Sequence, residues 1–426
     1  MSIRRILICL SFLFIIGSAA PAPATSQGAI MPLATPQIIS IWGGARHSLV
    51  LAADGTVWDW GLSHCGLVTS VCSMLGDGTF FDRHVPIQVH GPDNVGYLSA
   101  ISAIMGGEQH SFALKSDGTV WAWGWNGAGQ LGDGTYTDRL TPTQVSGLSA
   151  VTRLGGRGYH NLAVKADGTV WAWGWNNHGQ LGHDTSASPC PVPLDMTCSN
   201  VPVQVVGVTN PLTVTGGGFF SLALMPDHTL LAWGQGSLGE LGNGASSDSA
   251  TPVHVSNVLS NVVQVSAGWH HAVALTADGS VWAWGDNTYG EIGNGTASTT
   301  GVNVPYRVAG LSHAVAVSAG DGHTSALTVD GTVWKWGKND VGELGDGTWV
   351  DKHTPVAAVG LTHVIAMTAR DYHNLAITAD GSLWAWGSNN YGQLGDNTTI
   401  DRATPVQVLF GQPSGTLWAF LPLVQR

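Results

Sequence analysis

Three kinds of residue in this chain recur at spacings that could do chemistry. Histidine holds one place in a repeated stretch, as His47, His110, His160, His271, His323 and His373, and a closed set of imidazoles is what a metal centre would use. Aspartate recurs in the pattern Asp-Gly-Thr-x-x-Asp at 77–82, 133–138 and 346–351, with an Asn-for-Gly variant at 396–401; paired carboxylates invite calcium. Tryptophan comes in pairs two residues apart, as in "TVWAWG" at 119–124, and an aromatic surface would suit a ligand.

Each reading meets an objection in the residues themselves. The fourth copy has Phe220 where the others have histidine, and no carboxylate or thiolate recurs beside the imidazoles. A position that accepts phenylalanine is one of packing, so a buried histidine bonded to neighbouring backbone is expected. Each aspartate motif offers two carboxylates, whereas calcium takes six to eight oxygens. The motif is followed by Arg83, Arg139, Lys352 or Arg402, which fits an Asx-stabilised turn closed by an ion pair. No nucleophile-elbow serine, histidine-rich metalloprotease motif or phosphate-cradling glycine loop stands out. The expectation is therefore no catalytic residue, no metal and no cofactor: the chain does not read as an enzyme.

What positions these residues is a repeat. "ADGTVWDWG" at 53–61 returns at 116–124, 166–174, 226–234, 277–285, 329–337 and 379–387, and its turn aspartates (Asp54, Asp117, Asp167, Asp227, Asp278, Asp330, Asp380) lie 50 to 63 residues apart. A period near 50 built of short strand-like runs means propeller blades. The composition agrees: 426 residues with 58 Gly, 19 Trp and 10% charged suit many strands joined by tight turns. The fold expected is all-β, a seven-bladed propeller of four-stranded antiparallel blades over residues 38–410. The first unit has no proline strand ahead of it, and "TPVQV" at 404–408 follows the last, so the ring is expected to close by that C-terminal strand joining the first blade. Residues two apart on a strand share a face, which assigns both members of each tryptophan pair to packing between blades.

The run G-x-x-H-x-x-A-L, then D-G-T-V-W-A-W-G, then N-x-x-G-Q-L-G-D-G-T resembles the repeat of the regulator of chromosome condensation family, and the likeness spans roughly residues 38–410. The resemblance implies a seven-bladed propeller and says less of function, because propellers host unrelated activities. Members include a nuclear exchange factor for a small GTPase, a plant ultraviolet photoreceptor and an exported bacterial inhibitor of β-lactamase. The photoreceptor's G-W-R-H turns find one counterpart here, Trp269 in "GWHH".

The ends of the chain bear on compartment. Arg4 and Arg5, the apolar run Ile6–Ile16 and the small residues after it form a secretory signal pattern over 1–24, followed by a linker at 25–37. Its removal leaves 14 basic against 28 acidic residues, a balance that argues against nucleic acid as a partner. Cys65 and Cys72, and Cys190 and Cys198, are close in sequence and would meet oxidising conditions outside the cell; local pairing 65–72 and 190–198 is expected over a shared metal site. The tail 411–426 is apolar but too short to span a membrane, and reads either as a sorting or attachment element or as a segment packed on the ring.

Strand parity puts the Gly-x-x-His turns and the long loops after each Trp-Gly on one face of the ring. There the residues before the histidine break the repeat's uniformity: Arg46, Glu108, Tyr159, Phe219, Trp269, His270, Asp321, Asp371 and Tyr372, with Trp125 and Trp175 in the long loops. Rigidly displayed aromatics are favoured interface anchors. The expected function is a secreted or cell-surface, monomeric, non-catalytic module that binds an unidentified protein through this face. The alternatives are an exchange-factor-like regulator, as the family's namesake implies, and a glycan- or wall-binding propeller.

Overall fold

The computed structural model describes residues 36–64, 73–183, 188–190 and 197–410. Within them the chain forms seven antiparallel sheets. In each blade the strands lie side by side in chain order, as in blade 1: Ile38–Gly43, His47–Ala52, Val57–Gly61 and Arg83–Gln88. The first strands of successive blades pack on one another around the ring, the last blade's on the first's, so they form the inner wall and the proline-bearing strands the rim. Blade 3 carries an added short strand, Ser188–Pro189, beside Thr197–Thr209. The single helical piece among the described residues is a 3-10 turn at Pro92–Asn94.

The ring does not close as expected. Arg402–Gln407 pairs with Leu383–Gly387 of its own blade, and blade 1 has its own outer strand at Arg83–Gln88. Each proline strand follows the Trp-Gly strand it pairs with, so no strand is exchanged and the repeat frame lies one strand off from the one expected. The C-terminal strand still serves the seam through side chains: Val408 and Phe410 pack in one core with Trp60, Val50 and Ile38 of blade 1.

The hairpin that starts each outgoing strand is set by its aspartate. Asp54 Oδ1 accepts from Thr56 N at 3.0 Å and from Thr56 Oγ1 at 2.7 Å, while Gly55, at φ 79°, supplies the left-handed turn position that a side chain would disfavour. Thr56 Oγ1 then accepts the Trp58 indole N–H at 3.2 Å, and the same relay holds at Trp121 and Trp171. In these three blades the tie holds the first tryptophan of the pair to the hairpin. The two indoles of a pair therefore differ: Trp60, Trp123, Trp173, Trp233, Trp284, Trp336 and Trp386 are fully buried, whereas Trp58, Trp121, Trp171, Trp282, Trp334 and Trp384 are half-buried. The expectation that both are hidden holds for one of the two.

Six of the seven fully buried indoles lock a seam through the indole N–H. Trp173 donates to the Gln130 carbonyl of the preceding blade at 2.9 Å; Asn161 Nδ2 donates to the same oxygen, and Asn161 Oδ1 meets His110 Nε2 at 2.9 Å. The seam between blades 7 and 1 repeats this with Trp60, Ser48, His373 and the Gln393 carbonyl, and the seam between blades 5 and 6 with Trp336, Thr324, His271 and the Glu291 carbonyl. The repeated histidine thus bonds to a side chain of the next blade through Nε2, not to neighbouring backbone as expected. Where the histidine is Phe220, the residue facing it in blade 5 is Ala272 instead of Ser, Thr or Asn, and both are buried in one core. The seam between blades 1 and 2 also departs from the pattern: the buried Asp59 stands where most blades have alanine, beside Trp123 and Ser111.

Burial holds these imidazoles neutral, with His47, His160 and His271 lowered to about 3 and His110 and His373 to about 4. In the unfolded chain they would take a proton near 6.5, so the stability they contribute is full above pH 6.5 and is lost as pH falls toward their folded values. A His271→Phe/Thr324→Ala chain copies the Phe220–Ala272 pair. Between pH 7 and 4.5 it should lose about 2–3 kcal/mol less stability than the parent chain, measured by urea unfolding at the two pH values.

Candidate functional site

The histidine turns and the long loops do share one face, because each connects strands at the same end of its blade. Backbone bonds stitch neighbouring turns together: Glu108 N to Gly158 O at 2.9 Å, Gly218 N to Trp269 O at 3.0 Å and Trp269 N to Gly320 O at 3.3 Å. The turn residues are therefore fixed relative to one another, and their side chains form two unlike halves.

The first half is aromatic. Trp125 of blade 2 meets Tyr159 of blade 3 at 5.4 Å between ring centroids, and Tyr159 meets Trp175 at 5.0 Å and Trp269 of blade 5 at 6.3 Å. Phe219 of blade 4 lies 5.5 Å from Trp175, 5.6 Å from Trp269 and 5.9 Å from His270. The pairs are edge-to-face or tilted, the arrangements that ring quadrupoles favour. All six residues are half-buried. The structure thus brings together six of the residues singled out from the sequence, across four blades. His178, which the sequence reading passed over, extends the belt by lying 5.5 Å from Phe219 while its Nδ1 meets Asp248 at 2.8 Å.

The second half is charged. Arg157, at the end of the inner strand of blade 3, is 2% exposed and reaches across the ring. Its Nε donates to Asp371 of blade 7 at 3.0 Å, and Nη1 donates to the carbonyls of Ala267 in blade 5 and Ala319 in blade 6 at 3.1 and 2.6 Å. One guanidinium therefore joins four blades. Burial pushes the Asp371 carboxyl up, but Arg157 and a hydrogen bond from Glu108 bring it below the ordinary range. Glu108 goes the other way: burial and the Asp371 charge raise it well above its usual value, and its buried Oε2 has no donor in reach. That is the situation of a carboxyl that keeps its proton and donates it to Asp371. Asp321 is raised to about 6, by burial and then by Asp371.

Tyr372 and Arg46 lie beside the charged half: burial and the Asp321, Asp371 and Glu108 carboxyls raise the Tyr372 phenol, and Arg46 opposes them. Lys338 lies 5.4 Å from the ring centres of Tyr372 and Tyr289, and Arg46, exposed, lies 5.4 Å from that of Tyr391. Of the four cysteines, Cys190 and Cys198 are joined in a disulfide with a Cα separation of 5.6 Å, while Cys65 and Cys72 fall outside the described residues. The aspartate motifs behave as turns: Asp77, Asp133 and Asp396 pair with Arg83, Arg139 and Arg402 at 2.6 to 2.7 Å, and Asp346 with Lys352 at 3.7 Å.

Arg157 escaped the sequence reading although it left a trace. It stands three residues before His160, at the place that glycine holds in blades 1, 2, 4, 5 and 6 (Gly44, Gly107, Gly217, Gly268, Gly320), and blade 7 also has an arginine there, Arg370. Arg157→Met would leave Asp371 buried without its cation, a loss of about 3–5 kcal/mol. Denaturant unfolding at pH 7 should show that loss, and a second change, Asp371→Asn, should recover most of it.

Comparison with known proteins agrees with this geometry. Models of the regulator of chromosome condensation (RCC1) repeat match residues 117–164 and 167–224, and the RCC1-like domain matches 200–419. The ultraviolet-B receptor UVR8 of Arabidopsis thaliana is 30% identical over 344 residues, covering 80% of this chain and 73% of the receptor. The human E3 ubiquitin-protein ligase HERC2 is 32% identical over 313 residues, 73% of this chain but 5% of the ligase. Among solved structures, Prp20p of Saccharomyces cerevisiae superposes with a TM-score of 0.66 at 22% identity, over 81% of this chain and 84% of that one. With seven blades, a repeated turn histidine and an indole at each seam, the chain belongs to the RCC1 repeat family.

Proposed function

We propose that this chain is an exported, non-catalytic binding module whose histidine-turn face receives a protein partner. The observation that carries the reading is the aromatic belt from Trp125 through Tyr159, Trp175 and Phe219 to Trp269 and His270. The buried indoles hold the ring together, whereas these six meet one another ring to ring, with His270 also facing Glu240 of blade 4 at 3.4 Å. They sit half-buried on stitched turns, which removes much of the ordering cost that mobile loops would add on binding. A belt crossing four blades has the breadth of a protein interface with aromatic anchors at its centre and polar groups around it.

The relatives support a binding role in kind. The solved Prp20p structure is described with its binding to Gsp1p and histones, and the ultraviolet-B protein is named a receptor. Export rests on the leader pattern at 1–24 and is consistent with the Cys190–Cys198 disulfide.

Two measurements test the reading. The immobilised chain, exposed to the producing culture's medium, should retain a protein that a Trp175→Ala/Phe219→Ala/Trp269→Ala chain holds at least about 100-fold more weakly, since each anchor of this kind contributes about 2 kcal/mol or more. Equal retention by both chains would remove the belt from the function. N-terminal sequencing of the chain from the medium should begin at Thr25; a chain found only inside the cell with residues 1–24 intact would favour the exchange-factor alternative.

A further inference from the structure

The opposite face carries an apolar arc whose occupant the chain itself can supply. In the inner strands a bulge falls at the second residue, as between Ile38 and Ser40, Val262 and Gln264, Ala314 and Ala316, and Val364 and Ala366. The bulge takes that residue out of the ladder near the Asp-Gly hairpin end of the ring. The residues placed there are Ile39, Val263, Val315 and Ile365, which are 56%, 43%, 50% and 62% exposed, and Leu212, in the equivalent place of blade 4, is 36% exposed. Blades 2 and 3 have Ser102 and Thr152 instead. The apolar arc therefore runs without a break over blades 4, 5, 6, 7 and 1. Single exposed aliphatics are ordinary, but five on consecutive blades around one opening form a patch of the kind that contacts something.

The end of the described chain points at this arc. Arg402 pairs with Gly387 and Gln407 with Trp384, so the last strand runs toward the hairpin face. Three residues later Phe410 has its ring 5.9 Å from Trp58 and 6.3 Å from Trp60, which means the chain has crossed the seam onto the third strand of blade 1. From there to the inner strand that bears Ile39 is two strand spacings, about 10 Å. The sequence continues with a polar spacer, "GQPSGT" at 411–416, able to span about 20 Å, and then the apolar run "LWAFLPLV" at 417–424. The two most exposed members of the arc, Ile39 and Ile365, belong to the two blades between which the chain leaves.

We infer that residues 417–424 dock on this arc within the same molecule, with Ile39 and Ile365 as the main contacts. The docked segment supplies the apolar partner that the bulged residues lack, and it occupies the face opposite the aromatic belt, so it leaves that belt free.

Hydrogen exchange of the full chain tests this. Amides in 417–424 should exchange at least about 10-fold more slowly than in a synthetic peptide of the same sequence, at any protein concentration. Ile39→Asp/Ile365→Asp should abolish that protection, and so should Trp418→Asp/Phe420→Asp in the tail. The strands bearing Trp284 and Trp336 serve as the control and should exchange as in the parent chain. Peptide-like rates in the parent chain would overturn the inference. So would protection that survives both pairs of changes, or protection that grows with concentration, which would assign the arc to a second copy.

Discussion

At five of the seven seams a single backbone carbonyl accepts both from the next blade's buried indole and from its neighbouring polar side chain, and on this contact the remainder of the molecule depends. A four-stranded blade has two faces and too little polar surface to leave either one wet, so it is stable only when both are covered. The large indole supplies area, on the order of 150–250 Å², and its N–H must find an acceptor once buried. The Gln or Glu carbonyl of the preceding blade provides one at Trp60, Trp173, Trp233, Trp284, Trp336 and Trp386. Hydrophobic contact is indifferent to register, whereas the shared acceptor admits only one, so the seams are both apolar and specific.

The same economy of contacts explains why the centre is charged. Seven turns converging on one axis leave a space that repeat residues do not fill, and Arg157 fills it by bonding to blades 5, 6 and 7. Its charge is matched by Asp371, and burial together with the Asp371 charge raises the Glu108 carboxyl well above its usual range. In the aromatic half the rings pack edge to face or tilted, and His270 lies 3.4 Å from the buried Glu240 carboxylate. The proposed contact surface lies where the seam rules are silent, on turns whose positions the seams nonetheless fix.

Much of this is legible in the sequence because the repeat multiplies each signal. Asp-Gly at six of seven hairpins, two tryptophans after each of those six and a period near 50 leave little choice of fold. The strand frame was not legible: a proline strand after each unit and one before it give the same linear pattern, and only the pairing of Arg83–Gln88 with Val57–Gly61 decides between them. The histidine's partner was hidden for a related reason, since it lies some 50 or more residues away on the next blade. Yet a trace of it existed, because the one histidine replaced by Phe220 faces the one polar residue replaced by Ala272. The aromatic members of the belt stand out by their departure from the repeat in the two residues before each histidine, whereas Arg157 replaces a glycine one position earlier, where the repeat looks uniform.

The central claim is that this ring meets its partner through the aromatic belt and uses its seams only to hold that belt still. Hydroxyl-radical footprinting of the chain, free and with the protein it captures, addresses the claim residue by residue. The account predicts protection on binding at Trp125, Tyr159, Trp175, Phe219 and Trp269, with the hairpin-face residues Trp58, Trp121 and Trp384 unchanged. Protection confined to the hairpin face, with the belt as reactive in the complex as in the free chain, would contradict it.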